Sequence, residues 1–330
     1  MTAVDASANR ELAELYGPVA ADLPRVDALI ASLTEVEFPW LRRMLESTLG
    51  GGGKRLRPAI ALLAGRLGRY DLELLVPLAA SVELLHTATL VHDDVIDAAP
   101  ERRGRPTAAA LFNNASSVML GDYLFAHAAE FVARTGHVQV IRNFAETLRV
   151  MAQGELAQDV AAFEYSRDVQ RYLDRIHGKT ASLFATAAEN GALVTGAPER
   201  EVRALRRFGD QIGMAFQIVD DVLDFAATSE ELGKPAGSDL LAGTLTLPAL
   251  LYMERSPDDN PVRRAFEGTR RRANLQRAVT EIRASDLLEQ SLVTARRFAD
   301  AARAALDELP PGEPRATLDG LVDYVLARRS

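Results

Sequence analysis

Two short runs of carboxylates could do chemistry in this 330-residue chain. His92-Asp93-Asp94-Val95-Ile96-Asp97 and Gln217-Ile218-Val219-Asp220-Asp221-Val222-Leu223-Asp224 both contain D-D-x-x-D, and both close a strongly apolar stretch. On a helix, residues four apart differ by about 40° of rotation, so Asp93 and Asp97 share a face, as do Asp220 and Asp224. Three carboxylates within five residues repel one another unless a cation or a basic partner sits among them. A single run of this kind reads equally well as a solvated helix end. Two point to a hard cation, since the ligands are oxygen only, and Mg²⁺ is the usual choice beside phosphates.

The basic residues supply the other half of such a site. Of 38 basic residues only Lys54, Lys179 and Lys234 are lysine, and each directly follows a glycine, where a compact ammonium can meet a phosphate. Gly51-Gly52-Gly53-Lys54-Arg55-Leu56-Arg57-Pro58 reads as a glycine-rich turn opening a helix, with Lys54 and Arg57 three apart. It is not a Walker A loop. Arg102 and Arg103 follow the first acidic run directly, and Gly178-Lys179-Thr180 falls inside a helical pattern. An interior helix glycine costs about 1 kcal/mol, which points to a close approach there. His86 and His92 precede the first run; His92 reads equally well as a packed polar residue.

Acidic clusters and several cations together suit two diphosphates, one bound through metal and one held by Lys and Arg. No Ser–His–Asp set and no activated nucleophile is discernible. The chemistry left is to pull a diphosphate off carbon and shield the developing cation from water in an apolar cavity. The departed diphosphate can then take the last proton, so no protein base is required.

Alanine and leucine dominate the chain, and apolar residues recur at three- and four-residue spacing, as in Leu74, Leu75, Leu78, Val82 and Leu85. This predicts an all-α protein with helices over 22–48, 54–67, 71–98, 107–134, 137–162, 168–195 and 199–226. Shorter helices are predicted over 239–255, 260–282, 285–308 and 313–328. Asp71 and Asp168 read as N-caps, Pro198 as a helix start, and Gly136 and Gly196 as breaks. No Pro/Ser-rich linker divides the chain, so residues 1–330 are expected to form one domain.

Composition narrows the class further. Hydrophobic residues make up 48%, charged residues 25% and aromatics 6%, with no cysteine and a net charge of −8. That excludes disulfides, Cys-ligated metal and a Cys nucleophile, and makes a nucleic-acid binder a poor fit. The first residues lack the basic and apolar regions of a signal peptide, and Pro77, Glu83 and His86 interrupt the apolar stretch from Val76 to Val91. A soluble, cytoplasmic protein is expected.

The strings GGGKRLRP, LLHTATLVHDDVID, RRGRPT, LGDYLFA, GKTASLF and FQIVDDVLDF resemble the trans-isoprenyl diphosphate synthases (polyprenyl synthetases) from about residue 24 to 255. The resemblance implies one all-α bundle around a central cavity, commonly homodimeric, that condenses isopentenyl diphosphate head-to-tail onto an allylic diphosphate. It implies that Asp93, Asp97 and Asp220 bind Mg²⁺ on the allylic diphosphate, with Asp94, Asp221 and Asp224 supporting them. Arg102, Lys179 and Lys234 would hold the allylic diphosphate. Lys54, Arg57, His86 and Arg103 would bind isopentenyl diphosphate. Thr180 and Gln217, with Lys179, would lie at the reacting carbons, where a hydroxyl or carbonyl dipole steadies positive charge. One departure is Thr244, where the family often has a further lysine.

Product length is expected to depend on residues one turn deeper than Asp93. Ala88 and Thr89 are small, which leaves a tunnel open, and HTATLVHDDVID is most like the long-chain synthases, which make roughly C30–C50 products. Phe144 is the candidate floor, on one face with Glu155 and ~16 Å from it along the helix. The alternatives are a short-chain (C15–C20) synthase and a non-catalytic subunit of a heteromeric synthase. Lys54 and Arg57 argue against a class I terpene cyclase or a head-to-head synthase.

Overall fold

Ala- and Leu-rich segments with a 3.6-residue period bury one stripe each, and capping residues decide where they begin and stop. The computed structural model describes residues 14–50, 53–102, 104–226 and 235–328. A 3₁₀ turn at Gly17–Val19 is followed by α1 (Leu23–Ala31), a second 3₁₀ turn at Ser32–Thr34, α2 (Pro39–Leu49), α3 (Leu56–Gly65) and α4 (Leu72–Ile96). Two-residue strands β1 (Glu101–Arg102) and β2 (Arg105–Pro106) pair antiparallel, with Arg102 opposite Arg105. Next come α5 (Ala108–Leu111), α6 (Asn114–Ala133), α7 (Val138–Val160), α8 (Val169–Ile176), a π-helical turn at His177–Ala181, α9 (Ser182–Val194) and α10 (Glu199–Ala226). Then follow α11 (Ser238–Leu241), α12 (Leu247–Arg255), α13 (Pro261–Phe266), α14 (Arg271–Arg283), α15 (Leu287–Leu306) and α16 (Glu313–Ala327). The protein is all-α, and β1 and β2 are the only strands among the described residues.

The expected caps are present. Asp71 accepts from the Glu73 amide at 3.0 Å, and Asp168 from the Gln170 amide at 2.9 Å. Gly136 and Gly196 sit at positive φ between helices. Several predicted helices prove to be two. Segment 22–48 stops before Pro39, whose ring disfavours helix at the preceding residue. Segment 107–134 breaks at Asn113, which caps α6 by accepting from the Ser116 amide at 2.8 Å. Segment 239–255 is interrupted at Gly243 and 260–282 at Gly268, both at positive φ. The helix expected from residue 54 starts at Leu56, because Arg55 is left-handed at φ 50°.

The chain divides into two compact units. The first comprises Met1–Leu148, Leu183–Gly209 and Ala305–Leu321; the second comprises Arg149–Ser182, Asp210–Ala304 and Val322–Ser330. In the first unit α4 is the central helix and packs along α6, α3 and α1, burying Leu75, Leu78, Leu84, Leu85 and Ala88. By length and hydropathy α4 could cross a membrane, despite Pro77, Glu83 and His86. However, 61% of its most apolar window is buried inside the protein, as in a core helix. In the second unit the last turns of α10 contribute Met214, Ile218, Val219 and Phe225 to a core shared with Leu250, Met253, Val262, Ile282 and Leu287.

Candidate active site

The first acidic run forms the last turn of α4. Asp93 is half-buried and Asp97, one turn on, is exposed. Asp94 is buried and accepts from Arg102 Nε at 2.7 Å. Burial raises the Asp94 carboxyl, and the Arg102 guanidinium opposes that shift. Arg102 is placed for this by the β1–β2 turn, so the cation assigned to the allylic diphosphate here faces a carboxylate of the acidic run. Arg103 lies outside the described residues. His92 packs on α6, with Nε2 3.0 Å from the Val118 carbonyl. A Cβ on Gly121 would fall 2.1 Å from that nitrogen, so only glycine fits beneath the ring.

The glycine-rich segment is anchored by residues that spacing alone does not single out. Arg55, half-buried and held by two carboxylates, donates to Glu83 at 2.6 Å and to Asp27 at 2.7 Å. The Tyr16 hydroxyl donates to the Lys54 carbonyl. With the backbone held, the Lys54 side chain is exposed, and the Arg57 guanidinium stacks 4.3 Å over the Phe184 ring. His86 is half-buried, and its carbonyl accepts from Thr89 Oγ1 at 2.8 Å. Ala88 is fully buried, and Phe144 is buried on α7.

In the second unit the other acidic run forms the last turns of α10, and its carboxylates have distinct surroundings. Asp220 Oδ1 lies 2.7 Å from Arg328 Nη1, an ion pair rather than an aligned hydrogen bond, and Arg328 stacks 4.2 Å over Phe216. Asp221, buried, accepts from the Tyr172 hydroxyl at 2.7 Å and from Gln217 Nε2 at 2.9 Å. Burial, then the Asp239 charge, raises its carboxyl to about 7 against these hydrogen bonds. Asp224 accepts from Ser238 Oγ at 2.7 Å and from the Asp239 amide at 3.1 Å, which builds the turn into α11. Thr244 is half-buried, with its amide bonded to the Asp239 carbonyl at 2.9 Å. Lys234 lies outside the described residues.

The close approach expected at Gly178 is present. A Cβ there would meet the Val150 carbonyl at 3.3 Å, and one on Gly154 would meet the Lys179 amide at 3.1 Å. Two glycines thus let α7 and the π turn touch backbone to backbone. The wider turn interrupts the register expected through 168–195, a device common at functional sites. It sets Lys179 Nζ 2.8 Å from Glu155 Oε1, and Thr180 Oγ1 donates to Gln217 Oε1 at 2.6 Å. Tyr172, Glu155, Glu83 and Arg328 are the partners the sequence reading missed. Each meets its partner through a contact 24 or more residues away, or at the chain end, where no short motif forms.

The donor set suits a hard, oxygen-loving cation. Both acidic runs lie at helix C-termini, where the helix dipole disfavours carboxylates by about 0.3–1 kcal/mol each, so a bound cation relieves a local cost. Among the described residues no three acidic or imidazole groups converge on one point, so a cation here needs further oxygen ligands, as a diphosphate supplies.

An all-α protein with paired aspartate-rich helix ends, Lys-bearing turns and an amide–hydroxyl pair is built as a prenyl-transferring enzyme. The sequence profile of the polyprenyl synthetase family matches residues 38–282, and the chain belongs to that family. It is 40% identical to heptaprenyl diphosphate synthase component 2 of Geobacillus stearothermophilus, over 96% of this chain and 98% of that protein. It is 36% identical to octaprenyl diphosphate synthase of Escherichia coli, over 94% and 96%. Among solved structures, a polyprenyl synthase of Caulobacter crescentus complexed with calcium and isoprenyl diphosphate is 37% identical. It superposes with a TM-score of 0.89 over 98% of each chain.

Proposed function

We propose that the protein condenses isopentenyl diphosphate head-to-tail onto an allylic diphosphate, farnesyl or geranylgeranyl diphosphate, to make a trans-polyprenyl diphosphate of roughly C30–C50. The observation that carries this reading is that both D-D-x-x-D runs and the Lys54/Arg57 pair are intact in a family member. Small, buried Ala88 beside Thr89 supports the long product, as do relatives named for hepta- and octaprenyl products.

Asp93, Asp97 and Asp220 would hold Mg²⁺, which when bound supplies positive charge to the departing diphosphate. Arg102, Lys179 and Lys234 hold the allylic diphosphate, with Asp94 and Glu155 keeping Arg102 and Lys179 in place. Lys54, Arg57, His86 and Arg103 hold isopentenyl diphosphate. Thr180 and Gln217 turn lone pairs toward the developing cation, while Ala- and Leu-rich helix faces exclude water. The released diphosphate takes the proton that completes the condensation.

The protein is read as a single-domain cytoplasmic enzyme. A homodimer through α6 is supported by that helix's exposed Val118 and Met119, flanked by exposed Ala115, Ala126 and Ala129. The Geobacillus relative is named as one component of a synthase, so a heteromeric arrangement is the second reading. Labelled isopentenyl diphosphate tests the activity: given farnesyl or geranylgeranyl diphosphate, the purified protein without a second chain should move label into solvent-extractable product with Mg²⁺ and not with EDTA. Asp93→Ala should lower that rate at least ~10³-fold with its helical circular dichroism intact. An unaffected Asp93→Ala would remove the metal assignment; inactive wild type would favour the heteromer.

A further inference from the structure

We infer that Tyr172 and Asp221 are positioning residues that fix the polarity of the Gln217 amide, and through it the Thr180 hydroxyl, so that oxygen lone pairs rather than N–H or O–H groups face the reacting carbons. The inference rests on the condensation proposed above.

The four side chains form one directional hydrogen-bond chain within the second unit. The Tyr172 hydroxyl donates to Asp221 Oδ2 at 2.7 Å, and Gln217 Nε2 donates to Asp221 Oδ1 at 2.9 Å. Thr180 Oγ1 then donates to Gln217 Oε1 at 2.6 Å. Tyr172 and Asp221 are each 3% exposed, so water does not replace either partner.

Polarity is the point at issue. The oxygen and nitrogen ends of a glutamine amide are close in size, so packing alone does not choose between them. With the Tyr172 hydroxyl donating to Oδ2, Asp221 Oδ1 accepts from Nε2 and so takes the N–H end. With that end held, Oε1 is left to accept, and Thr180 spends its only hydrogen on it. What Oε1 and Oγ1 then have to offer is lone pairs, with the amide nitrogen drawn toward Asp221. The reversed amide would offer N–H, the end that repels a forming carbocation.

Tyr172 completes the arrangement from outside. Its phenol occupies the second oxygen of Asp221, so the carboxylate cannot rotate to release Gln217 without leaving a buried donor unpaired. Asp221 is thereby separated from its neighbour Asp220. D-D-x-x-D spacing groups the two as metal residues, but both oxygens of Asp221 are already taken by protein donors.

A double-mutant cycle tests this. Tyr172→Phe keeps the buried ring and removes only the donor. It should lower kcat roughly tenfold, with KM for both diphosphates and the Mg²⁺ midpoint changed by less than about twofold. Gln217→Leu should cost at least as much, and the double variant should be no slower than Gln217→Leu alone. Losses that multiply, or a change confined to KM, would overturn the inference.

A second readout does not depend on turnover. In ¹⁵N–¹H spectra of the wild type, the Gln217 side-chain amide, assigned by its loss in Gln217→Leu, should show one proton protected from exchange. That protection should fall in Tyr172→Phe. Two freely exchanging amide protons would overturn the inference even in an active enzyme. Wild-type turnover separately judges the condensation.

Discussion

Asp221 sits in the second acidic run with its carboxyl raised to about 7 by burial and by the Asp239 charge, against an ordinary value of 3.8. The folded protein therefore holds this proton more tightly than the unfolded chain does. Its contribution to stability is fullest at low pH and is lost as pH rises through about 7. Asp221→Asn removes that titration while keeping the shape. Without metal, its Tm relative to wild type should be higher at about pH 8 than at about pH 5, read by differential scanning fluorimetry. A difference that does not vary with pH would show that the Asp221 proton is not linked to folding. The six aspartates were legible as a group because D-D-x-x-D repeats at helical spacing. Their separate surroundings were legible only in part: Arg102 follows the first run closely enough to pair with it, whereas Tyr172 and Arg328 reach the second through the fold rather than through a motif.

At the scale of elements, the periodicity gave α4, α6, α7 and α10 almost whole, since each buries a continuous apolar stripe. It ran past Asn113, Gly243 and Gly268, where a cap or a left-handed residue stops a helix that the apolar pattern would continue. The π turn at His177–Ala181 was legible only as a misplaced Gly178, because GKTA carries no turn signal. Gly154 on α7 admits the Lys179 backbone beside it, a contact no local pattern marks. The glycine-rich segment was half legible. Lys54 and Arg57 were singled out, but the Arg55–Glu83 anchor joins residues 28 apart. α7 also carries Phe144, buried at 5% exposure, as the candidate end of the product tunnel. Phe144→Ala should lengthen the products by one or more isoprene units, read by mass spectrometry. An unchanged distribution would make Phe144 an ordinary core residue.

For the molecule as a whole, the all-α class follows from helical periodicity and the lack of alternating stretches, and it agrees with the family the chain belongs to. The central apolar helix α4 illustrates how composition and packing divide the argument. Its hydropathy alone would suit a membrane, and its burial against α6, α3 and α1 makes it a core helix. That same helix carries Ala88 and Thr89 one turn before Asp93, so one element would link the proposed metal-binding end to product length. The most direct test is to incubate the purified protein with Mg²⁺, isopentenyl diphosphate and, separately, geranyl, farnesyl or geranylgeranyl diphosphate, and to size the products by mass spectrometry. Products of about thirty carbons or more are expected, from a tunnel left open by small residues. A stop at fifteen or twenty carbons would contradict the long-chain reading, and no product from any primer would contradict the condensation itself.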